Sequence, residues 1–145
     1  MATKAGFSVI AYGSTSSYNL KVNQDGVGNS LRELPSDKLV IAVGNSKEIW
    51  PHLQPLLVKT QHPFHEYAEQ VAYSLVEALK EDSQDDLEIC FTNCPDRSKL
   101  VCFSRLPQAM LHGEGSLCYF EKNMHLLHNA KFGTWHAWRF ALVFN

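Results

Sequence analysis

The run Thr134–Phe144 (TWHAWRFALVF) constrains the fold of this chain more than any other segment. It is rich in aromatic and aliphatic residues and predicts one long β-strand. Alternation along a strand would divide its side chains between two faces. These are Trp135, Ala137, Arg139, Ala141 and Val143 on one face, and His136, Trp138, Phe140, Leu142 and Phe144 on the other. Because both faces are mostly apolar, we expect the strand to be central in its sheet or sandwiched between layers.

The remaining segments predict a mixture of helices and strands. The clearest helix is His65–Glu81, where apolar residues recur at three and four positions and form one stripe. Pro63 lies near its start, where proline is tolerated. A short, irregular helix is predicted from Asn45 to about Lys59. The other predicted strands are Lys38–Gly44, Leu87–Thr92, Ser116–Glu121 and Met124–His128, with Leu100–Ser104 as either a strand or the approach to a short helix over Leu106–His112.

This order of elements predicts one α+β domain spanning residues 1–145. The segment Asn19–Asp37 has no apolar period and predicts a long loop, and Asn93–Ser98 predicts a turn. A hydrophobic content of 45% and a charged content of 19% are typical of a folded domain. The net charge of −2 does not favour nucleic acid or an anionic membrane as a partner. No apolar run approaches the roughly 20 residues of a membrane span, and no secretory core follows Met1, so we expect a cytoplasmic protein.

The cysteines and histidines do not predict a metal site. In a reducing compartment the four cysteines are expected to be free thiols. Cys90 and Cys94 are close in sequence, but no second pair of ligands has the spacing of a zinc site. His125 and His128 also lack an evident third ligand.

Arg139 is the first candidate for a functional side chain. It interrupts an apolar strand face, where a charge must either be paired or face a pocket. A guanidinium in a pocket suits a carboxylate or a phosphate. An internal salt bridge or an exposed strand end would explain the residue equally well.

Two glycine-containing turns are further candidates. The glycines of His112-Gly113-Glu114-Gly115 would let a ligand approach the backbone, although a surface turn is an alternative. Lys131-Phe132-Gly133-Thr134-Trp135 could hold an anion or a flat ring system, or it could be a β-turn with aromatic core anchors. The chain has no GxGxxG, Walker lysine loop, GxSxG or HExxH sequence, which leaves the corresponding enzyme classes without support.

Together these motifs resemble the methylmalonic aciduria and homocystinuria type C (CblC) family of cyanocobalamin decyanases and alkylcobalamin dealkylases. That family has a His-x-x-Gly motif, an aromatic strand, and a basic-Phe-Gly-Gly-Trp turn with an arginine four residues after the tryptophan. The matching pieces here are His112–Gly115, Cys118–Phe120, Lys131–Trp135 and Arg139. Thr134 departs from the second turn glycine. The resemblance spans nearly the whole chain and corresponds to the N-terminal part of a typical member.

The resemblance implies a flavin-nitroreductase-like fold, an antiparallel sheet with flanking helices. It also implies that the chain binds cobalamin base-off and removes its upper ligand. Reduced flavin, either FMN or FAD, would support decyanation, as in a cyanocobalamin reductase (cyanide-eliminating), and a glutathione thiolate would take an alkyl group. Carried over by residue, the cofactor-binding positions are His112, Gly115, Tyr119, Phe132, Gly133, Trp135 and Arg139, with Arg139 directed toward glutathione.

Two alternatives follow from the same resemblance. Family members continue beyond the position of Asn145 with segments that cap the pocket, which favours a non-catalytic module that interacts with a B12-trafficking protein. A small flavin-dependent reductase without cobalamin is the other alternative. We also expect a homodimer, because a half-open sheet would expose apolar surface.

Overall fold

The computed structural model describes residues 1–24, 32–82, 86–92 and 101–145. The predicted turn Asn93–Ser98, including Cys94, and the centre of the predicted loop, residues 25–31, lie outside the described residues. The helices are α1 Thr15–Gln24, α2 Trp50–Leu53, α3 Pro63–Asp82 and α4 Leu106–Ala109, with 3-10 turns at Ala2–Ala5 and Lys47–Ile49. The strands are β1 Val9–Ser14, β2 Leu39–Asn45, β3 Leu87–Phe91, β4 Tyr119–Glu121, β5 Leu126–His128 and β6 Ala137–Phe144.

The main sheet is antiparallel and has the strand order β1-β2-β6-β3. Strand β6 lies between two others, so the prediction of a central C-terminal strand is confirmed, although the strand begins at Ala137 rather than Thr134. Strands β4 and β5 form a separate antiparallel pair in which Tyr119 lies opposite His128. The α+β class is therefore confirmed. No helix among the described residues is both long and apolar enough to cross a membrane.

Apolar layers cover both faces of the sheet. The face packed against α3, called the α3 face below, includes Phe7, Leu53, Ala72, Phe140 and Leu142. The opposite face, called the α1 face, includes Tyr18, Leu106, Trp138, Ala141 and Val143. Burial of these side chains on both faces is the main stabilising contribution to the fold.

Alternation along β6 fails at Arg139, and the predicted division of faces is wrong there. Val43 lies opposite Phe140, but the next residue of β2, Gly44, lies opposite Trp138. Arg139 is the extra residue of a β-bulge, which changes the side of the sheet that the preceding residues face. Trp138 therefore packs on the α1 face although Phe140 packs on the α3 face. A Cβ atom on Gly44 would lie 2.7 Å from the Ala137 carbonyl oxygen, so glycine permits the close approach at the bulge.

Three other predictions need correction. The segment predicted as a loop from Asn19 begins inside α1, because Thr15, Tyr18 and Val22 form a buried stripe among polar neighbours. The irregular helix before Lys59 consists of a 3-10 turn and the single-turn α2. Residues 101–104 form no strand, and the alternative helix is shorter than predicted, covering only the four residues of α4.

Asn129 fastens the two glycine-containing turns to each other. Its side chain is buried, with a relative exposure of 1%. Its amide nitrogen donates to the carbonyl oxygens of Glu114 at 3.3 Å and Ser116 at 2.8 Å. Its amide oxygen accepts from the backbone N–H groups of Lys131 at 2.8 Å and Phe132 at 3.1 Å. One side chain thus fixes the relative position of residues 114–116 and 131–132.

We expect Asn129→Ala to lower the free energy of unfolding by roughly 2–3 kcal/mol, because four partly buried backbone groups lose their hydrogen-bond partner. Asn129→Asp keeps the two acceptor contacts and loses the donor contacts. Amide hydrogen exchange should therefore stay slow at Lys131 and Phe132 in Asn129→Asp and become fast in Asn129→Ala. Asn123→Ala, at an exposed position, is the matched control. Equal exchange rates at Lys131 and Phe132 in the two Asn129 variants would contradict the assignment of these contacts to the Asn129 side-chain oxygen.

Candidate functional site

A cleft lies at the N-terminal end of β6, beside the C-terminal end of β2. Its volume is about 730 Å³. The turn Lys131–Trp135 forms one wall, and the 3-10 turn with α2 and the start of α3 forms the other. The lining residues are Asn45, Ser46, Lys47, Glu48, Ile49, Trp50, Phe64, Lys131, Phe132, Thr134, Trp135, His136 and Ala137.

Aromatic side chains dominate this cleft. Trp135 is 87% exposed and Trp50 is 50% exposed, although both are large apolar residues. The Trp50 ring meets the Phe64 ring edge to face, with centroids 5.9 Å apart. The Lys131 ammonium lies 5.4 Å from the centroid of Phe132. Exposed indoles beside a concave surface are suited to stacking on a flat ligand.

Arg139 lies next to this cleft on the α3 face. Its Nε donates to Asn45 Oδ1 at 2.6 Å, and its guanidinium carbon lies 4.8 Å from the Phe64 ring centroid. It also lines an adjoining cleft of about 220 Å³ with His62 and Thr92. Among the described residues no carboxylate pairs with Arg139. Burial lowers the pKa of Arg139, but an arginine stays protonated at neutral pH. The sequence left open a cation facing a pocket, an internal salt bridge or an exposed strand end. In the structure, Arg139 is a cation beside a pocket.

The structure brings together only part of the predicted set of site residues. Phe132 and Trp135 line the main cleft, and Gly133, with φ of +59°, forms the turn between them. Arg139 contacts the same cleft through Asn45 and Phe64. The sequence therefore pointed to one wall of this cleft.

His112, Gly115 and Tyr119 lie elsewhere. His112 exchanges backbone hydrogen bonds with Tyr12 and stacks on its ring, with centroids 5.4 Å apart. A Cβ on Gly115 would lie 2.6 Å from the Trp138 ring, so a packing requirement accounts for the absence of a side chain. Tyr119 stacks on His128 in a cleft of about 390 Å³.

Thr134 connects these separate regions. It lines the main cleft, the Tyr119 cleft and a third cleft of about 270 Å³ that lies against Phe120 and Trp138. Tyr119 and Trp135 thus line different clefts that have Thr134 as a shared lining residue. His112 and Gly115 do not line any of these three clefts.

Sequence reasoning missed several residues of the site. Trp50 and Phe64 form the opposite aromatic wall, but they follow no motif and lie in segments that were interpreted only as helix. Asn45 holds Arg139 from a position 94 residues away in sequence. Nothing in the sequence marks Asn129 as a structural residue, apart from its position two residues before Lys131. A tryptophan directly before Pro51, outside any apolar period, was the one available hint to Trp50.

The buried thiols and imidazoles of the described residues do not form a metal centre. Within residues 1–24, 32–82, 86–92 and 101–145, no group of three or more His, Cys, Asp or Glu residues lies close enough to hold an ion. Cys102 and Cys118 are free thiols. Burial raises the pKa of Cys118, whose Sγ donates to the Gly115 carbonyl at 3.2 Å. A thiol protonated in this way is a poor nucleophile and a poor ligand.

Comparison with known proteins gives a match in structure. No protein-family model matches the chain, and no curated protein matches it in sequence. The fold is similar to the crystal structure of a C. elegans B12-trafficking protein, CblC, a human MMACHC homologue. The TM-score is 0.68 at 16% sequence identity, and the match covers 98% of this chain. The chain spans 64% of the length of that protein. The chain therefore has the nitroreductase-like α+β fold of a CblC-type protein, as the motifs predicted.

Proposed function

We propose that this chain binds cobalamin base-off and takes part in removing its upper ligand during B12 processing. The observation that carries the proposal is the cleft of about 730 Å³ lined by exposed aromatic rings, beside which Arg139 has no carboxylate partner among the described residues. This cleft occurs on a fold similar to that of a B12-trafficking protein. The motif residues Phe132 and Trp135 lie in one of its walls, and Gly133 lies in the turn between them.

The shape of the cleft suits part of a large, flat ligand. It is open on one side and bounded by Trp135 and Phe132 against Trp50 and Phe64. A corrin ring presents a broad apolar surface that such rings can cover, which removes water from both partners. The Tyr119 cleft, joined through Thr134, offers further surface for a ligand that extends beyond the main cleft.

Arg139 provides a place for an anionic co-substrate. Nε is engaged by Asn45, and the terminal guanidinium nitrogens retain donors for a carboxylate. Glutathione has two carboxylates and supplies the thiolate required for dealkylation. A cation at the edge of the aromatic cleft, without a carboxylate partner in the part of the chain that the structure describes, supports a role for Arg139 in holding glutathione near the bound corrin.

Cobalamin itself carries the reactive bond between cobalt and its upper ligand, and a reduced FMN or FAD would supply electrons for decyanation. The chain would contribute orientation and exclusion of water. Trp135 and Trp50 would hold the ring plane, and Asn45 would fix the direction of the Arg139 guanidinium. Asn129 would fix the position of the Lys131–Trp135 turn relative to the rest of the cleft.

A non-catalytic role is the second candidate. A chain with this fold could bind cobalamin and present it to a B12-trafficking protein without breaking the upper bond. The high exposure of Trp135 favours it, since an exposed indole suits a protein partner as well as a ligand. Cyanide release from cyanocobalamin with a flavin reductase system separates the two roles: release above the protein-free rate supports processing, and binding without release supports trafficking. The homodimer and the flavin-dependent reductase without cobalamin stay predictions.

We expect methylcobalamin to change to its base-off spectrum when titrated with the protein. Trp135→Ala should weaken the apparent affinity about tenfold, because one stacking surface is lost. Tyr73→Ala removes another exposed aromatic, on α3 and outside the cleft, and should leave the affinity unchanged. Equal affinities for wild type and Trp135→Ala would show that this cleft is not part of the cobalamin site. An unchanged methylcobalamin spectrum with the wild-type protein would overturn the proposed function.

Arg139→Gln should weaken glutathione binding to the cobalamin-loaded protein about tenfold or more, because a charge-assisted pair is lost. Arg139→Lys should recover only part of the affinity, since an ammonium cannot form the paired contact. Lys80→Gln, in the last turn of α3, is the control for loss of one positive charge. Calorimetric titration with glutathione measures all four proteins. Wild-type affinity in Arg139→Gln would contradict the assignment.

A further inference from the structure

Charged side chains line the main cleft together with its aromatic rings. Lys47, in the 3-10 turn, lies in one wall, and Lys131, in the turn before β6, lies in the other. Among the described residues that line the cleft, Glu48 is the only carboxylate. The lining therefore carries an excess of positive charge, although the whole chain has a net charge of −2.

The Glu48 carboxylate neutralises neither lysine. Its Oε2 accepts from the Ser8 hydroxyl at 3.3 Å and also from the Ser46 hydroxyl. In the described part of the chain Glu48 forms no ion pair, and the Lys47 side chain has no hydrogen-bond or ion-pair partner. The Lys47 ammonium, with its three donors, is therefore available to an anion in the cleft.

Lys131 has a carboxylate partner, but the pair is weak. Its Nζ lies 2.6 Å from Glu114 Oε1, and both side chains are more than half exposed. Solvent screens such a pair, so it contributes little to stability. One carboxylate also leaves donors of the ammonium for a second acceptor. The ammonium lies 5.4 Å from the centroid of Phe132, so a ligand that contacts this wall brings its substituents near Lys131.

The rings and the ammonium groups together define the kind of ligand that suits the cleft. Trp50 and Trp135 offer exposed apolar surface to a flat ring. The two lysines offer charge-assisted hydrogen bonds to an anionic group on that ring. A neutral ring would gain nothing from the lysines, whereas an anionic one gains Coulomb attraction beside apolar walls, where screening by water is reduced. The sequence left open whether the Lys131–Trp135 turn holds an anion or a flat ring, and this cleft offers surfaces for both.

We propose that the main cleft selects a flat ligand that carries an anionic group, and that Lys47 and Lys131 bind this group. The identity of the natural ligand rests on the proposed function. Cobalamin has a phosphodiester between its corrin ring and its lower base, and this tail leaves cobalt in the base-off form. Binding of the phosphodiester by the two lysines would favour that form. Cobinamide, which has neither the phosphodiester nor the base, would not gain this interaction.

Two fluorescent probes with the same rings test the selection without a corrinoid. Anilinonaphthalene sulfonate carries one negative charge, and N-phenylnaphthylamine lacks the sulfonate. The double variant Lys47→Gln/Lys131→Gln should lower the ratio of sulfonate affinity to neutral-probe affinity about tenfold, because only the sulfonate loses an attraction. Lys80→Gln, in the last turn of α3 and outside the cleft, is the control for loss of positive charge and should leave the ratio unchanged. Trp135→Ala should weaken both probes, since both lose one ring surface.

Glu114→Gln tests the same assignment in the opposite direction. It removes the carboxylate partner of Lys131, while the hydrogen bonds of Asn129 still hold the turn in place. We expect the sulfonate to bind about twofold more tightly and the neutral probe to bind as before. An unchanged sulfonate affinity in Glu114→Gln would contradict the role of Lys131.

Two results with the probes would overturn the inference as a whole. One is an affinity ratio in the double lysine variant equal to that of wild type. The other is sulfonate binding that Trp135→Ala leaves unchanged, because the anion would then bind outside the cleft. A ratio that falls in Arg139→Gln and not in the double lysine variant would assign the selection to Arg139 and overturn the role of both lysines.

Cyanocobalamin and cyanocobinamide are then titrated with the same proteins, with quenching of tryptophan fluorescence as the measurement. The double lysine variant should bind cyanocobalamin about tenfold more weakly and cyanocobinamide as tightly as wild type. Equal losses for the two corrinoids would contradict the assignment of the lysines to the phosphodiester. Probe selection without a base-off spectrum of methylcobalamin would support the anion site and overturn the proposed function alone. A base-off spectrum without probe selection would overturn the anion site and leave the proposed function standing.

Discussion

The bulge at Arg139 is the constraint on which the rest of this structure depends. Strand β6 pairs with β2 on one side and β3 on the other, so a shift in its register affects both apolar layers. The extra residue sends Trp138 to the α1 face and Phe140 to the α3 face. It also places the Arg139 guanidinium against Phe64 and Asn45 at the edge of the main cleft. Gly44 permits this because any Cβ there would collide with the Ala137 carbonyl.

The site is built from loops held on that sheet, and the connections between loops are polar. Asn129 joins the His112–Ser116 turn to the Lys131–Trp135 turn through four hydrogen bonds to backbone groups. The ion pair between Lys131 Nζ and Glu114 Oε1, at 2.6 Å, joins the same two turns at the surface. The buried amide contributes more than the exposed pair, because solvent screens a surface ion pair. The two motifs that suggested a single ligand site are thus linked by hydrogen bonds and an ion pair, even though they face different surfaces.

The sequence predicted best those helices and strands whose own residue pattern indicates which side chains are buried. Helix α3 has an apolar stripe, and β2 is β-branched, so burial and secondary structure agree locally. The second half of α1, from Asn19, was interpreted as loop because the buried residues of this helix are spread among serines and asparagines. At the site, Phe132, Gly133, Trp135 and Arg139 were predicted from motifs. Phe132 and Trp135 line one cleft, Gly133 lies in the turn between them, and Arg139 lies beside that cleft. Trp50 and Phe64 could not be predicted, since Trp50 lies in α2 and Phe64 in α3, and only tertiary packing places both helices at the same cleft as Trp135.

The sequence by itself determined the α+β class, the central position of the last strand and, through short motifs, the resemblance to the CblC family. These depend on periodicity and on residues close together in the chain. Only the tertiary structure decided which motif residues share a cleft. A strand pattern assumes regular alternation, and one bulge reverses the faces of the residues before Arg139. The tertiary structure likewise decided that Gly115 lies against the Trp138 ring. It also decided that ring nitrogens of His136 and Trp138 are buried without hydrogen-bond partners among the described residues. Both properties depend on contacts between segments that are distant in sequence or lie across the bulge.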